Sequence, residues 1–122
     1  MPDMQHLKYE VIHRRSREQL TKDLASTDPT VVCAALYSAA QHEPDWRWSQ
    51  DQSLERFSHP ALSVQVAALQ AIQEIVYFQK SIDGNKVLPE LFKLLNDENL
   101  APLVEEVISD IQNLFRDEDR IG

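Results

Sequence analysis

The side chains most often used for catalysis or metal binding are few and widely spaced. Histidine occurs at positions 6, 13, 42 and 59, and the only cysteine is Cys33. No histidine has another three or four residues away, and no HExxH motif or cysteine cluster is present, so the spacing predicts no zinc site. Cys33 lies in an apolar run with no base in view, which favours a small buried side chain over a reactive thiol.

The carboxylates come in adjacent pairs, such as Asp97 with Glu98 and Glu105 with Glu106. Neighbouring residues on a helix point about 100° apart, so neither pair converges on one substrate atom. No serine lies in a G-x-S-x-G elbow that would present it as a nucleophile. We therefore predict no catalytic activity, no metal and no cofactor.

Aromatic residues form a more informative cluster in the stretch DWRWSQD at Asp45–Asp51. Two tryptophans two positions apart cannot share one face of a helix, so we expect one to pack inward and the other to stay near the surface. Tryptophan, tyrosine and arginine dominate the energetics of protein interfaces. The alternative is structural, with Trp46 packing over the gap between two units and Trp48 covering its neighbour.

The elements that position these residues are predicted to be helices. Asp28-Pro29 and His59-Pro60 each open an amphipathic run, and Asp45 can cap the helix that holds the tryptophans. Ser16 with Gln19 resembles a capping box for a helix that ends near position 25. Ser81–Asn85, which contains Gly84, predicts a turn or a helix end, and two further helices follow it.

The helices also indicate a repeat. Cys33-Ala34-Ala35-Leu36 and Val66-Ala67-Ala68-Leu69 are 33 residues apart, and each lies in the second helix of a predicted hairpin. Three such units cover roughly residues 16–42, 45–79 and 85–115, and we expect residues 116–122 to fray. Stacked two-helix repeats have periods in this range. An irregular helical bundle with similar turns is the alternative.

The strings D-P-x-V-x-x-A-A-L at Asp28–Leu36 and H-P-x-x-x-V-x-V-A-A-L at His59–Leu69 resemble the turn and second helix of HEAT-type repeats. This chain lacks the arginine usual in that helix and has Val32 or Cys33 and Gln65 instead. The resemblance implies an all-α fold, a short HEAT-like solenoid of about three helical hairpins in one domain.

A narrower resemblance rests on Ala34–Ala40 and Asp45–Gln50. These segments, in a small acidic HEAT-like chain, are similar to immunity proteins of bacterial contact-dependent inhibition and polymorphic toxin systems. That similarity implies a cytoplasmic protein that binds and blocks one cognate toxin. The contact residues do not carry over, because such interfaces differ between pairs.

The net charge of −8 bears on the partner. Residues 61–122 hold 11 acidic and 5 basic side chains, against 9 and 7 in residues 1–60. This balance disfavours nucleic acid and favours a basic protein, although acidity for solubility alone is an equal alternative. No segment approaches the ~18 apolar residues of a membrane span, so we expect no membrane partner. The oligomeric state stays open.

The tyrosines Tyr37 and Tyr77 interrupt the apolar stripes of corresponding helices, with amide and acidic residues beside them. These residues predict an acidic and aromatic protein-binding surface, although hydrophobic packing explains the tyrosines equally well. Together with the resemblance to immunity proteins, they imply a surface that covers the active site of a basic toxin, with a nuclease as the expected class. A general scaffold and a helical-repeat enzyme or lyase are the alternatives. The predicted protein-binding residues are Tyr37, Asp45, Trp48, Asp51, Glu74, Tyr77, Glu105, Glu106 and Asp110.

Overall fold

The computed structural model describes residues 13–121, with side chains to 117. Helices joined by short connections make up this part of the chain. A 3₁₀ turn at Arg56–Ser58 joins the third and fourth helices, and no strand occurs within that range. The predicted all-α class is confirmed. The helices are α1 Arg17–Leu24, α2 Pro29–His42, α3 Trp46–Glu55, α4 Leu62–Gln79, α5 Gly84–Leu94 and α6 Ala101–Ile121.

Side-chain caps begin the first three helices. The Ser16 hydroxyl accepts a hydrogen bond from the Gln19 amide at 3.0 Å, and the Asp28 carboxylate accepts one from the Thr30 amide at 2.9 Å. Asp45 accepts from the backbone amide of Trp48 at 3.2 Å. These bonds satisfy amides that have no partner inside their own helix. The three predicted helix starts are therefore where the sequence places them.

The helices pack in pairs, and the second members of the pairs form a row. α1 packs on α2, α3 on α4 and α5 on α6, while α4 lies between α2 and α6. Both α2 and α4, which contact each other, carry alanines that are at most 2% exposed, and such small side chains allow packed helices to approach closely. These alanines include Ala35, Ala39, Ala68 and Ala71.

A regular register joins successive pairs. Within the described range, four hydrogen bonds made by side chains connect residues 33 positions apart: Tyr37 to Gln70, Gln41 to Glu74, Gln50 to Asp83 and Gln73 to Glu106. Gln50 is 1% exposed, and its Oε1 accepts from the Asp83 amide at 2.8 Å. The spacing of the two Ala-Ala-Leu segments is thus the spacing of these contacts.

The end of α4 differs from the expectation for Gly84. Lys80, not glycine, ends α4 in the left-handed region, with φ 53°. Gly84 instead begins α5, where a Cβ atom would lie 2.6 Å from a ring carbon of Phe115. Gly84 therefore leaves room for the ring of Phe115 on α6, whereas the left-handed residue that ends α4 has a side chain.

None of the helices in the described range combines the length and apolar character needed to cross a membrane.

Candidate functional site

A groove of about 940 Å³ lies on α4, between α2 and the second half of α6. Its lining combines aromatic, amide, acidic and apolar side chains. Two large aromatic residues in it, Tyr77 and Phe78, are 67% and 51% exposed, which is unusual for side chains of their size. The lining residues are Tyr37, Gln70, Gln73, Glu74, Val76, Tyr77, Phe78, Lys80, Asp110, Leu114 and Asp117.

Hydrogen bonds between neighbouring helices hold the wall of the groove. The Tyr37 hydroxyl on α2 donates to Oε1 of Gln70 on α4 at 2.6 Å. On the other side of α4, the Gln73 amide donates to Asp110 at 2.9 Å and to Glu106 at 3.3 Å. Burial is the main cause that raises the pKa of Tyr37, so its hydroxyl remains a donor at neutral pH. These bonds fix the orientation of the side chains that line the groove.

Glu74 is the lining carboxylate with the least favourable surroundings. Its Oε2 accepts from the Gln41 amide at 3.0 Å, but its buried Oε1 has no hydrogen-bond partner within the described part of the chain. Burial raises the pKa of Glu74, and the bond from Gln41 only partly opposes that shift. Desolvation without a full set of donors disfavours the charged form. The groove therefore contains an acceptor with unused capacity.

The rim of the groove presents aromatic faces. The rings of Tyr77 and Phe78 meet edge to face, with centroids 5.0 Å apart and planes at 89°. Nζ of Lys80 lies 5.0 Å from the centroid of Tyr77, within the range of a cation–π contact. Lys80 is the one basic residue in the lining, against Glu74, Asp110 and Asp117. The groove has a net negative charge and an aromatic edge.

Four of the nine predicted residues line this groove. Tyr37, Glu74, Tyr77 and Asp110 come from three different helices and face one space. Glu106 lies beside them through its bond from Gln73 but does not line the groove. Glu105 is exposed on α6 and also lies outside the lining.

Asp45, Trp48 and Asp51 lie away from the groove on α3 and its cap, where each already has a partner within the chain. Asp45 caps α3 and pairs with Arg17 at 3.5 Å, and Asp51 pairs with Lys86 at 2.7 Å. The guanidinium of Arg17 covers the ring of Trp48, 4.1 Å from its centroid. The structure thus divides the nine predicted residues into four that line the groove, two on α6 outside its lining and three on α3 and its cap.

Both tryptophans occupy an intermediate environment, so the expected division into one buried and one exposed ring is wrong. Trp46 and Trp48 are each half-buried and pack against the core. An arginine also packs over each ring: Arg17 over Trp48, and Arg47 over Trp46 with its guanidinium 4.4 Å from the centroid. The tryptophans contribute to packing between helices, and their accessible faces are shared with arginines of the same chain.

Arg17 also organises the residues that precede α3. Its guanidinium donates to Glu43 at 3.3 Å as well as pairing with Asp45. The hydrogen bond from Arg17 is the main cause that lowers the pKa of Glu43. Exposed pairs of this kind add little to stability, but they orient the connection between α2 and α3.

Several lining residues were not predicted. Phe78 follows Tyr77 directly near the end of α4, where a run of β-forming residues at 75–78 is its only distinguishing feature in the sequence. Gln70 and Gln73 are among the amide residues expected beside the two tyrosines, and each bonds to a residue 33 positions away, Gln70 to Tyr37 and Gln73 to Glu106. Nothing in the sequence distinguished Leu114 and Asp117, because their position depends on the rotation of α6 against α4.

The remaining groups that could bind a metal or act as a nucleophile lie apart from one another in the described part of the chain. Among residues 13–117, no three His, Cys, Asp or Glu side chains lie together as metal ligands would. The Cys33 thiol donates to the carbonyl of Ser63 at 3.4 Å, and burial raises its pKa. A thiol with a raised pKa is a poor nucleophile at neutral pH.

Comparisons with protein-family models, with curated proteins and with solved structures found no match to this chain.

Proposed function

We propose that this chain is a non-catalytic protein-binding module that acts in the cytoplasm as an immunity protein, blocking a cognate bacterial toxin through the groove on α4. The observation that carries the proposal is the groove itself, about 940 Å³ in volume and edged by the exposed rings of Tyr77 and Phe78. Large exposed aromatic residues beside a concavity are typical of interfaces. A nuclease is the proposed toxin class.

The charge of the groove supports a basic partner. Glu74, Asp110 and Asp117 line it, and Lys80 is the single lining residue of opposite sign. A nuclease must attract phosphate, so the surface around its active site is positive, and an acidic groove complements such a surface. The net charge of −8 adds a long-range attraction that speeds association.

We propose in addition that the helix pairs form a HEAT-like solenoid of three hairpins. The row of α2, α4 and α6 supports this arrangement, because each second helix contacts the next one in the chain. The four hydrogen bonds at a spacing of 33 residues support it further. In stacked repeats the second helices share one surface, and the groove lies on the helices of this row.

The test uses the toxin-like C-terminal domain encoded in the neighbouring reading frame. We expect the purified domain to bind this chain tightly by calorimetry, and co-expression to protect cells from its toxicity. Affinity should fall as the salt concentration rises from about 50 to 300 mM, because salt screens the attraction between exposed charges.

Two variants separate the groove from the rest of the surface. Tyr77→Ala removes an exposed ring and should weaken binding about tenfold or more. Glu105→Gln removes a charge outside the lining and should change affinity less than about twofold. Equal effects of the two variants, or the absence of any protection by the unchanged protein, would contradict the proposal. Capture of several unrelated proteins without toxin inhibition would instead indicate a general scaffold.

A further inference from the structure

The unpaired oxygen of Glu74 is the starting point for a more specific statement about what enters the groove. Oε1 is buried and lacks a donor within residues 13–117, while Oε2 is held by Gln41. Buried polar atoms nearly always have a hydrogen-bond partner, and each exception calls for an explanation. In this position Oε1 is closed to solvent, but Glu74 lines the groove, so rotation of its carboxylate would turn an oxygen toward a donor supplied from outside the chain.

The neighbouring ring shows which kind of donor fits. Lys80 already places its ammonium over the face of Tyr77, so this face accepts a cation. Tyr77 is still 67% exposed, which leaves most of its surface available to a second group. Phe78 stands at right angles to it and adds an apolar wall. A planar cation can therefore touch an aromatic face and a carboxylate in the same space.

Arginine matches these features better than lysine. Its guanidinium is planar, stacks on aromatic rings and donates to a carboxylate through two nitrogens at once. It is also more weakly hydrated than an ammonium, so entry into a partly desolvated groove costs less. The two further carboxylates in the lining, Asp110 and Asp117, favour the same positive charge.

We propose that the groove is a binding site for an arginine side chain of the partner protein, with the carboxylate of Glu74, rotated toward the groove, as acceptor and the ring of Tyr77 as the stacking face. Apolar neighbours of that arginine would lie against Phe78 and Leu114. This inference rests on the proposed protein-binding function and specifies the chemistry that the groove recognises.

The test uses the full chain labelled with ¹⁵N and short peptide probes, and needs no toxin. Acetyl-Leu-Arg-Leu-amide should give saturable chemical-shift changes at residues 74, 77 and 110. The citrulline peptide has the same shape without the charge and should bind about tenfold more weakly or not at all. Binding of the citrulline peptide, or of a lysine peptide, as tight as that of the arginine peptide would overturn the assignment.

Variants place the probe in the groove. Glu74→Gln removes the proposed acceptor charge and should weaken the arginine peptide about tenfold, while Glu105→Gln removes one exposed charge and should have little effect. Lys80→Gly removes the competing cation and should strengthen binding. Thermal melts of each variant verify that the fold is retained. Equal affinities of the Glu74 and Glu105 variants for the arginine peptide would overturn the proposal.

The two proposals fail in different ways. A toxin domain that binds through Tyr77 but is insensitive to Glu74→Gln leaves the immunity function standing and overturns the arginine site. Saturable binding of the arginine peptide without any binding or inhibition of the neighbouring toxin domain supports the site and overturns the immunity function.

Discussion

At the scale of single residues, Glu74 combines features that stability alone would not favour. Its charge is partly desolvated, one oxygen is unpaired, and the nearby lining includes two other carboxylates. Burial raises its pKa, so the folded chain holds this proton more tightly than the unfolded chain does. The stabilisation linked to that proton is present below the unfolded pKa, about 4.3, and is lost as the pH rises through the folded pKa.

Glu74→Gln should therefore raise the melting temperature at pH 7 by a few degrees. The glutamine keeps the shape of the side chain and removes the desolvated charge. The gain should shrink as the pH falls to about 4, because protonation then makes Glu74 of the original protein neutral, like the glutamine. Thermal melts across this range, with Glu105→Gln as the exposed control, measure the effect. A gain that is the same at pH 4 and pH 7 would contradict the assignment to the Glu74 charge.

At the scale of helices, the starts of α2 and α5 look alike in sequence but differ in structure. Asp28 and Asp83 both precede a helix, yet only Asp28 makes a side-chain cap bond. The connection before α5 is held instead by Gln50, which accepts a bond from the Asp83 backbone. The carboxylate of Asp83 is thus not required for the helix start.

Asp28→Ala should lower the free energy of unfolding by about 1 kcal/mol, because one amide of the first turn loses its acceptor. Asp83→Ala should cost less than about half of that, since no cap bond is lost. Urea unfolding followed by circular dichroism compares the two variants. Similar losses in both would mean that charge near the helix start, rather than the cap bond, sets the stability.

Lys80 ends α4 in a conformation that costs a residue with a Cβ atom about 1–2 kcal/mol. Lys80→Gly should therefore raise the free energy of unfolding by about 0.5–1 kcal/mol after loss of the weak contact with Tyr77. Lys93→Gly, in the last turn of α5, serves as the matched control and should lower it by about 0.5–1 kcal/mol. A loss of stability in Lys80→Gly would show that the lysine side chain contributes more than its backbone strain costs.

Local rules accounted for much of the helical arrangement. Asp28, Asp45 and Ser16 could be recognised as caps from the sequence, because a cap depends only on residues within one helical turn of it. The sequence predicts a turn or helix end at Gly84, but the residue begins α5. Its role depends on Phe115, more than 30 positions away, which no local pattern shows. The groove was predicted only in part for the same physical reason. Which side chains of α4 and α6 line it depends on how the two helices are rotated against each other, and no local pattern specifies that rotation.

At the scale of the whole molecule, the contact of α2 with α4 is the largest between helices and joins the first two helix pairs. Alanines on both sides keep it narrow, and Ala68 is completely buried. Larger side chains there would push the helices apart and disturb the bond between Tyr37 and Gln70 above it.

Ala68→Leu should lower the free energy of unfolding by about 1–3 kcal/mol, because the close-packed interior around Ala68 has no space for three more carbon atoms. The same substitution at Ala101, which is partly exposed at the start of α6, should cost less than about 1 kcal/mol. Chemical denaturation measures the free energy of unfolding of both variants. Hydrogen exchange of the backbone amides in α2 and α4 reports whether the two helices separate. Equal tolerance of the two substitutions would contradict the close approach of α2 and α4.

The spacing of 33 residues also sets how this surface could change in length. If a copy of residues 46–78 were inserted directly after position 78, Tyr37 would still meet Gln70 of the first copy, and Asp83 would still lie 33 positions after Gln50 of the second. The contacts at both ends would keep their partners while the row of second helices grew by one. Duplication of a single segment could thus fit the same scaffold to a longer partner without redesign of its ends.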